Sequence, residues 1–197
     1  MNINLGFFSD QMWMYQIFAV VFATLFVDFL QKKLLSRLYR KLKRTQTIWD
    51  DVLIESIKSP LRVLIWLYGV LFAFQFAPEK KISSLTPLLE AVAEVGLVAI
   101  IVWFLSRFIK IGEKEYLKLV SGRLIQNEEN TNAQGKLDKT TIQAVTKLLR
   151  LSVVITGILI IIQTLGYSIS GLLAFGGVGG IAVGFAAKDL LANFFGG

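Results

Sequence analysis

The residues whose types and spacing carry a possible function run from Ala174 to Asp189. Gly176, Gly180 and Gly184 recur at four-residue spacing, the G-x-x-x-G pattern that lets membrane helices approach closely. A phosphate loop is excluded, because no strand precedes the glycines and Lys188 is followed by Asp189 rather than Ser or Thr. On a helix turning about 100° per residue, Ile181, Phe185, Lys188 and Ala192 fall on one stripe, with Ala174 and Val178 above them. Gly177, Gly180 and Gly184 lie on one flank of that stripe; Phe175, Ala182 and Ala186 lie near the other. Small residues on two flanks suit a helix that packs on two copies of itself. Repeated around an axis, such a helix forms a ring whose hole is lined by the central stripe. The same wheel also suits a central helix in a monomeric bundle.

Other chemistry is scarce. The chain has no Cys and no His, which excludes disulfides, thiolate sites, imidazole metal sites and His-based triads. The apolar blocks contain no nucleophile–base pair and no metal cluster, so no catalytic residue, metal or cofactor is expected. A transporter needs ionisable groups near the midplane or broken helices. The candidates are Asp28, near a helix end, and Glu90 and Glu94, one turn apart. All three are read as interfacial and solvated, and no internal repeat accompanies them.

The elements that position these residues are apolar blocks. The chain is 54% hydrophobic and 18% charged, and the two classes are segregated along it, which is the membrane signature. The blocks run roughly over 12–30, 61–77, 88–109, 148–167 and 172–187. The first four approach the ~20 residues that cross ~30 Å of hydrocarbon. The fifth is short and glycine-rich and needs shielding by other helices. Pro60 suits a helix start, Pro78 ends the second block, Pro87 opens the third, and Ser170 suits a cap for the fifth. The uncharged stretch from Gly166 to Gly171 reads as a tight turn. The N-terminus lacks the basic region of a signal peptide, and no small-residue cleavage site comes after the first block. That block is read as a retained anchor.

Charge placement sets orientation. Of 21 Lys and Arg, 18 lie in two alternate connections, 31–62 and 107–150. Lys/Arg excess marks the cytoplasmic side, so five spans put the N-terminus outside and the C-terminus inside. The net charge of +7, placed this way, points to anionic lipid rather than nucleic acid. Within the second basic connection, 112–125 reads as a basic amphipathic stretch with Tyr116, Leu117, Val120 and Leu124 at helical spacing. The segment 126–135 is polar and read as flexible, and Asp138 suits the cap of a new helix through Ile142, Val145 and Leu149.

The segment from Leu172 to Gly197 resembles the pore helix of the small-conductance mechanosensitive channel family. Ser170-Gly171-Leu172-Leu173-Ala174-Phe175-Gly176-Gly177, continued by Gly180-Ile181-Ala182-Val183-Gly184-Phe185-Ala186, is close to that family's glycine–alanine signature. Lys188-Asp189-Leu190-Leu191-Ala192-Asn193-Phe194-Phe195-Gly196 is similar to the stretch after that signature in members with five helices per subunit. The run 138–167 is similar to the helix before the pore. The resemblance implies a homo-oligomer, a heptamer in the family, around a central pore. It places the closing hydrophobic rings on Ile181 and Phe185. The helix–helix seam falls on Gly177, Gly180 and Gly184 with small partners Ala182 and Ala186, while Val178 fills one partner position. The family's kink after the pore falls near Lys188-Asp189, where this sequence has no glycine.

The chain is thus read as an all-α membrane protein of about five transmembrane helices with a Gly/Ala-rich pore helix at the C-terminus. Three outer spans occupy 1–110, a cytoplasmic linker with amphipathic helices 111–147, and the last two spans 148–197. The family's cytoplasmic β-domain is absent from these residues, so the chain is read as a fragment of a longer protein or a shortened copy. The expected function is a tension-gated ion channel subunit in a bacterial inner membrane, with lipids and permeant ions as partners and Lys188 and Asp189 at the pore mouth. The rival is a small transporter or a non-conducting membrane scaffold.

Overall fold

The computed structural model describes residues 12–42, 48–78, 84–126 and 132–196. They form five helices: α1 (Met12–Leu42), α2 (Ile48–Phe74), α3 (Thr86–Gln126), α4 (Asn132–Thr164) and α5 (Ser170–Gly196). Among the described residues there is no strand. All five helices are long and apolar enough to cross a membrane. An all-helical solution follows from the solvent: in hydrocarbon every backbone N–H and C=O needs a partner, and a helix supplies it within one segment. Side chains extend the same economy. Thr24 Oγ1 donates to the Val20 carbonyl at 2.8 Å, Ser56 Oγ to Val52 at 2.6 Å, and Ser152 Oγ to Leu148 at 3.0 Å.

Helices α1 to α4 pack in chain order, each against the next, and the cross-helix contacts run antiparallel. Gly69 of α2 faces Thr24 of α1, while Lys58 of α2 accepts a hydrogen bond from Gln31 of α1. Gly96 of α3 faces Leu67, while Arg107 reaches Ser59 and Phe108 stacks on Trp49. Gly157 of α4 faces Val102, while Arg150 pairs with Glu113. At Gly69, Gly96 and Gly157 an added Cβ would press into the facing side chain. Lipid tails are as apolar as Leu, so helix association here depends on such close approach and the dispersion contacts it allows.

The basic connections are mostly helix. α1 runs on to Leu42 and α2 begins at Ile48, so Pro60 lies inside α2 rather than at its start. An interior Pro removes one helical hydrogen bond and crowds the carbonyl four residues back, here Ser56. Packing holds the helix through it: Val52, Ile54, Ser56 and Pro60 are all buried, between α1 and α3. Likewise α3 continues to Gln126 and α4 begins at Asn132, so Asp138 lies inside α4 and is not its cap. Pro87 stands one residue into α3, where a missing N–H costs nothing.

The turn between α4 and α5 has a defined geometry. Gly166 has φ +84°, Tyr167 N–H donates to Ile162 O at 3.1 Å, and Gly166 N–H donates to Gln163 O at 2.9 Å. This is a Schellman ending, which requires a left-handed residue where Gly166 stands. Leu173 N–H donates to Ile169 O, so Ile169, not Ser170, is the cap of α5. Ser168 Oγ accepts from Ser170 N–H at 3.4 Å beside it.

Candidate functional site: the glycine helix

Helix α5 differs from the other four. Residues 170–188 are all exposed within one chain, and none of the window that spans the membrane is buried. Its stripe residues Ile181 and Phe185 are 62% and 64% exposed. An added Cβ at Gly171, Gly176, Gly177, Gly179, Gly180 or Gly184 would meet nothing within 4 Å. The glycines that mediate packing inside the chain are therefore Gly69, Gly96 and Gly157, whereas those of α5 lie against nothing in their own chain. A helix that is apolar on every side is a buried element or a membrane element.

Each residue assigned from the sequence to the gate, the seam or the pore mouth sits on this one helix. Gly177, Gly180 and Gly184 share a flank, Ala182 and Ala186 the opposite one, and Ile181 and Phe185 the stripe between. Lys188 is exposed at the end of the apolar window. Asp189 is part of α5, but its side chain lies outside the described residues. A single chain brings none of these flanks into contact with another.

Polar groups inside the bundle are a separate feature. Asp28 lies in mid-α1 and is only 6% exposed, so it is not the solvated interfacial residue expected of it. Lys32 Nζ pairs with its Oδ2 at 2.5 Å and Arg62 Nε lies 3.6 Å from its Oδ1. At 1.5 Å rise per residue, Asp28 lies roughly 24 Å along α1 from Met12, short of the ~30 Å thickness of a hydrocarbon core. Both cations are half exposed, at 51% and 54%, as suits long side chains with apolar stems and charged heads. Glu90 and Glu94 are exposed as expected. Neither the Asp28–Arg62 pair nor the Arg150–Glu113 pair announces itself in the sequence, since each joins residues far apart in the chain. The only local signal was an acid four residues before a lysine in α1.

Comparison with known proteins bears on the same helices. The family of mechanosensitive ion channel transmembrane helices 2/3 matches residues 147–188, which covers the C-terminal half of α4, the glycine turn and α5 to Lys188. The large-conductance mechanosensitive channel MscMJLR of Methanocaldococcus jannaschii is 30% identical over 168 residues, 83% of this chain and 43% of that protein. The small-conductance mechanosensitive channel MscMJ of the same organism is 27% identical over 199 residues, 99% of this chain and 53% of that protein. The low conductance mechanosensitive channel YnaI of Escherichia coli is 38% identical over 74 residues, 38% of this chain and 22% of that protein. The chain thus spans about half or less of the length of these relatives. No solved structure matches it. With a helix pair joined by the Gly166 turn, a glycine helix that finds no partner in its own chain, and relatives of one kind along its whole length, the chain belongs to the MscS-like mechanosensitive channel family.

Proposed function

We propose that the chain is the membrane-embedded part of a tension-gated ion channel, in which copies of α5 surround a common pore. The observation that carries this reading is the exposure of α5 on every side, with small residues on both flanks and large apolar ones between. In a homo-oligomer, a heptamer by family resemblance, Gly177, Gly180 and Gly184 of one copy meet Ala182 and Ala186 of the next. Ile181 and Phe185 then ring the axis and close it by dewetting. Lys188 and Asp189 stand at the cytoplasmic mouth, where Lys188 favours anions. Helices α1 to α3, with the surrounding lipid, form the outer layer that senses tension, and 111–147, which takes in the end of α3 and the start of α4, joins them to the last two spans on the cytoplasmic side. The basic connections favour a plasma-membrane protein with its N-terminus outside and C-terminus inside. Opening follows if the conducting state occupies more membrane area, so that tension shifts the population toward it.

The test is patch-clamp recording of the full-length protein containing this chain, reconstituted in liposomes under graded suction. Unitary currents whose open probability rises with tension are expected. A protein that assembles and inserts, yet passes no current up to membrane rupture, would leave the scaffold reading in its place.

A further inference from the structure

Helix α2 changes character at Pro60. Before it, Val52, Ile54 and Ser56 are 1%, 3% and 0% exposed, and the segment is fastened to both neighbours. The Trp49 ring stacks on Phe108 of α3, with centroids 6.3 Å apart. Ser59 Oγ accepts from Arg107 Nη1 of α3 at 3.0 Å, and the Lys58 carbonyl accepts from Gln31 Nε2 of α1 at 3.3 Å. Beyond Pro60 the helix is held more loosely. Of residues 61–74 only Ala73 is buried, while Val63, Tyr68, Val70 and Phe72 are exposed. Its close contacts set a side chain against a glycine, Thr24 on Gly69 and Leu67 on Gly96. Apolar contact of this kind is non-directional, so a helix can tilt across it without breaking a hydrogen bond.

The backbone is weakest at the same boundary. Pro60 has no N–H to give to the Ser56 carbonyl, and its ring crowds that oxygen. Ser56 Oγ also donates back to the Val52 carbonyl at 2.6 Å, a bond that itself tends to bend helices. Two bending features thus act on one turn. Of the three prolines, Pro78 follows α2 and Pro87 stands in the first turn of α3, so Pro60 alone interrupts the body of a helix. The length of α2 gives the bend a use. Its 27 residues extend roughly 40 Å, against ~30 Å of hydrocarbon. A helix longer than the core tilts or kinks to fit. With 48–59 held by α1 and α3, that adjustment falls on 61–74.

We propose that the turn from Ser56 to Pro60 is a joint, about which the outer segment 61–74 swings against a fixed inner segment as bilayer thickness changes. The Asp28–Arg62 pair lies two residues past the joint, where a swing displaces it least. The contact of Gly69 with Thr24 passes the motion to the outer part of α1. Val70 lies roughly 15 Å beyond Pro60 along the helix, so a kink of about 20° moves it by about 5 Å. The proposal requires only that the chain resides in a bilayer, so its failure leaves the channel reading untouched.

The chain has no Cys, so introduced cysteine pairs take spin labels without background. The full chain is labelled, diluted into an excess of unlabelled chain, and reconstituted in dimyristoyl- or dierucoyl-phosphatidylcholine vesicles, a thin and a thick bilayer. Pulsed electron paramagnetic resonance then reads two distances from α2 to α4 across α3. Val70→Cys with Ile160→Cys reports the outer half, and Leu53→Cys with Val145→Cys the inner half; all four side chains are exposed. Between the two bilayers the outer distance is expected to shift by about 5 Å and the inner distance to hold still. Pro60→Ala restores the missing N–H, and Pro60→Leu does so while keeping buried bulk. In both, the outer shift should fall to that of the inner pair. An outer shift no larger than the inner one in the parent chain overturns the proposal. So does an outer shift that persists in either Pro60 variant, since the motion then has another origin.

Discussion

Phe185 and Ile181 are one turn apart on a stripe that nothing in their own chain covers. If that stripe faces a pore axis, each copy adds a large apolar side chain to a narrow ring, and an ion must shed hydration to pass. Phe185→Ser removes bulk and adds a hydroxyl at every copy, so the constriction should wet without tension. The expected outcome is channel opening at lower suction in patches and slowed growth on expression of the full-length variant. Phe194 lies half a turn around the wheel from Phe185, and Phe194→Ser should leave the threshold where it was. Asp28 poses a different question at the same scale. Its carboxylate is buried, but Lys32 and Arg62 can both turn toward water. Removing it in Asp28→Ala should therefore cost about 1–3 kcal/mol, the range for a lost buried partner. The roughly 3–5 kcal/mol of a stranded buried charge should not be reached. Denaturant titration of the chain in mixed micelles measures the difference.

Among the elements, two sets of glycines have opposite surroundings. Gly157 sits where α4 meets Val102 of α3, so Gly157→Leu overpacks a contact inside one chain. A loss of about 1–3 kcal/mol should appear as a lower melting temperature of the isolated monomer in detergent. Gly180 meets nothing, so Gly180→Leu should leave monomer melting unchanged and weaken assembly, read by cross-linking in membranes. Assembly unchanged in Gly180→Leu and in Gly184→Leu would mean that this flank faces lipid. Helix α2 shows a second contrast. Its apolar block begins after Pro60, yet its three most buried residues, Val52, Ile54 and Ser56, precede it. A hydropathy scan registers contact with lipid, whereas these residues are covered by α1 and α3, so polar side chains share the segment with the core.

For the molecule as a whole, orientation follows from charge. The two lysine- and arginine-rich connections lie on the same side of a five-span chain, which predicts the cytoplasm for both. Reporter fusions at Thr45 and Asn130 should read cytoplasmic and one at Ser83 external; all three positions lie in connections outside the described residues. A cytoplasmic signal at Ser83 would falsify the five-span arrangement.

What the sequence determined by itself is local in origin. Bilayer thickness fixes how many apolar residues a span needs, and the backbone must bond within it, so the five spans and the all-α class could be counted from the chain alone. The glycine and alanine flanks of α5 were legible for the same reason, since the helical repeat converts spacing directly into faces. The tertiary structure decided whatever depends on residues brought together from distant parts of the chain. It moved the start of α2 to Ile48, because burial between neighbours outweighs the helix-breaking tendency of Pro60. It buried Asp28, because Arg62 of α2 comes to lie beside it. It made Gly69, Gly96 and Gly157 the close contacts within the chain. Such pairings turn on which faces of which helices adjoin, and spacing within a single helix does not encode that.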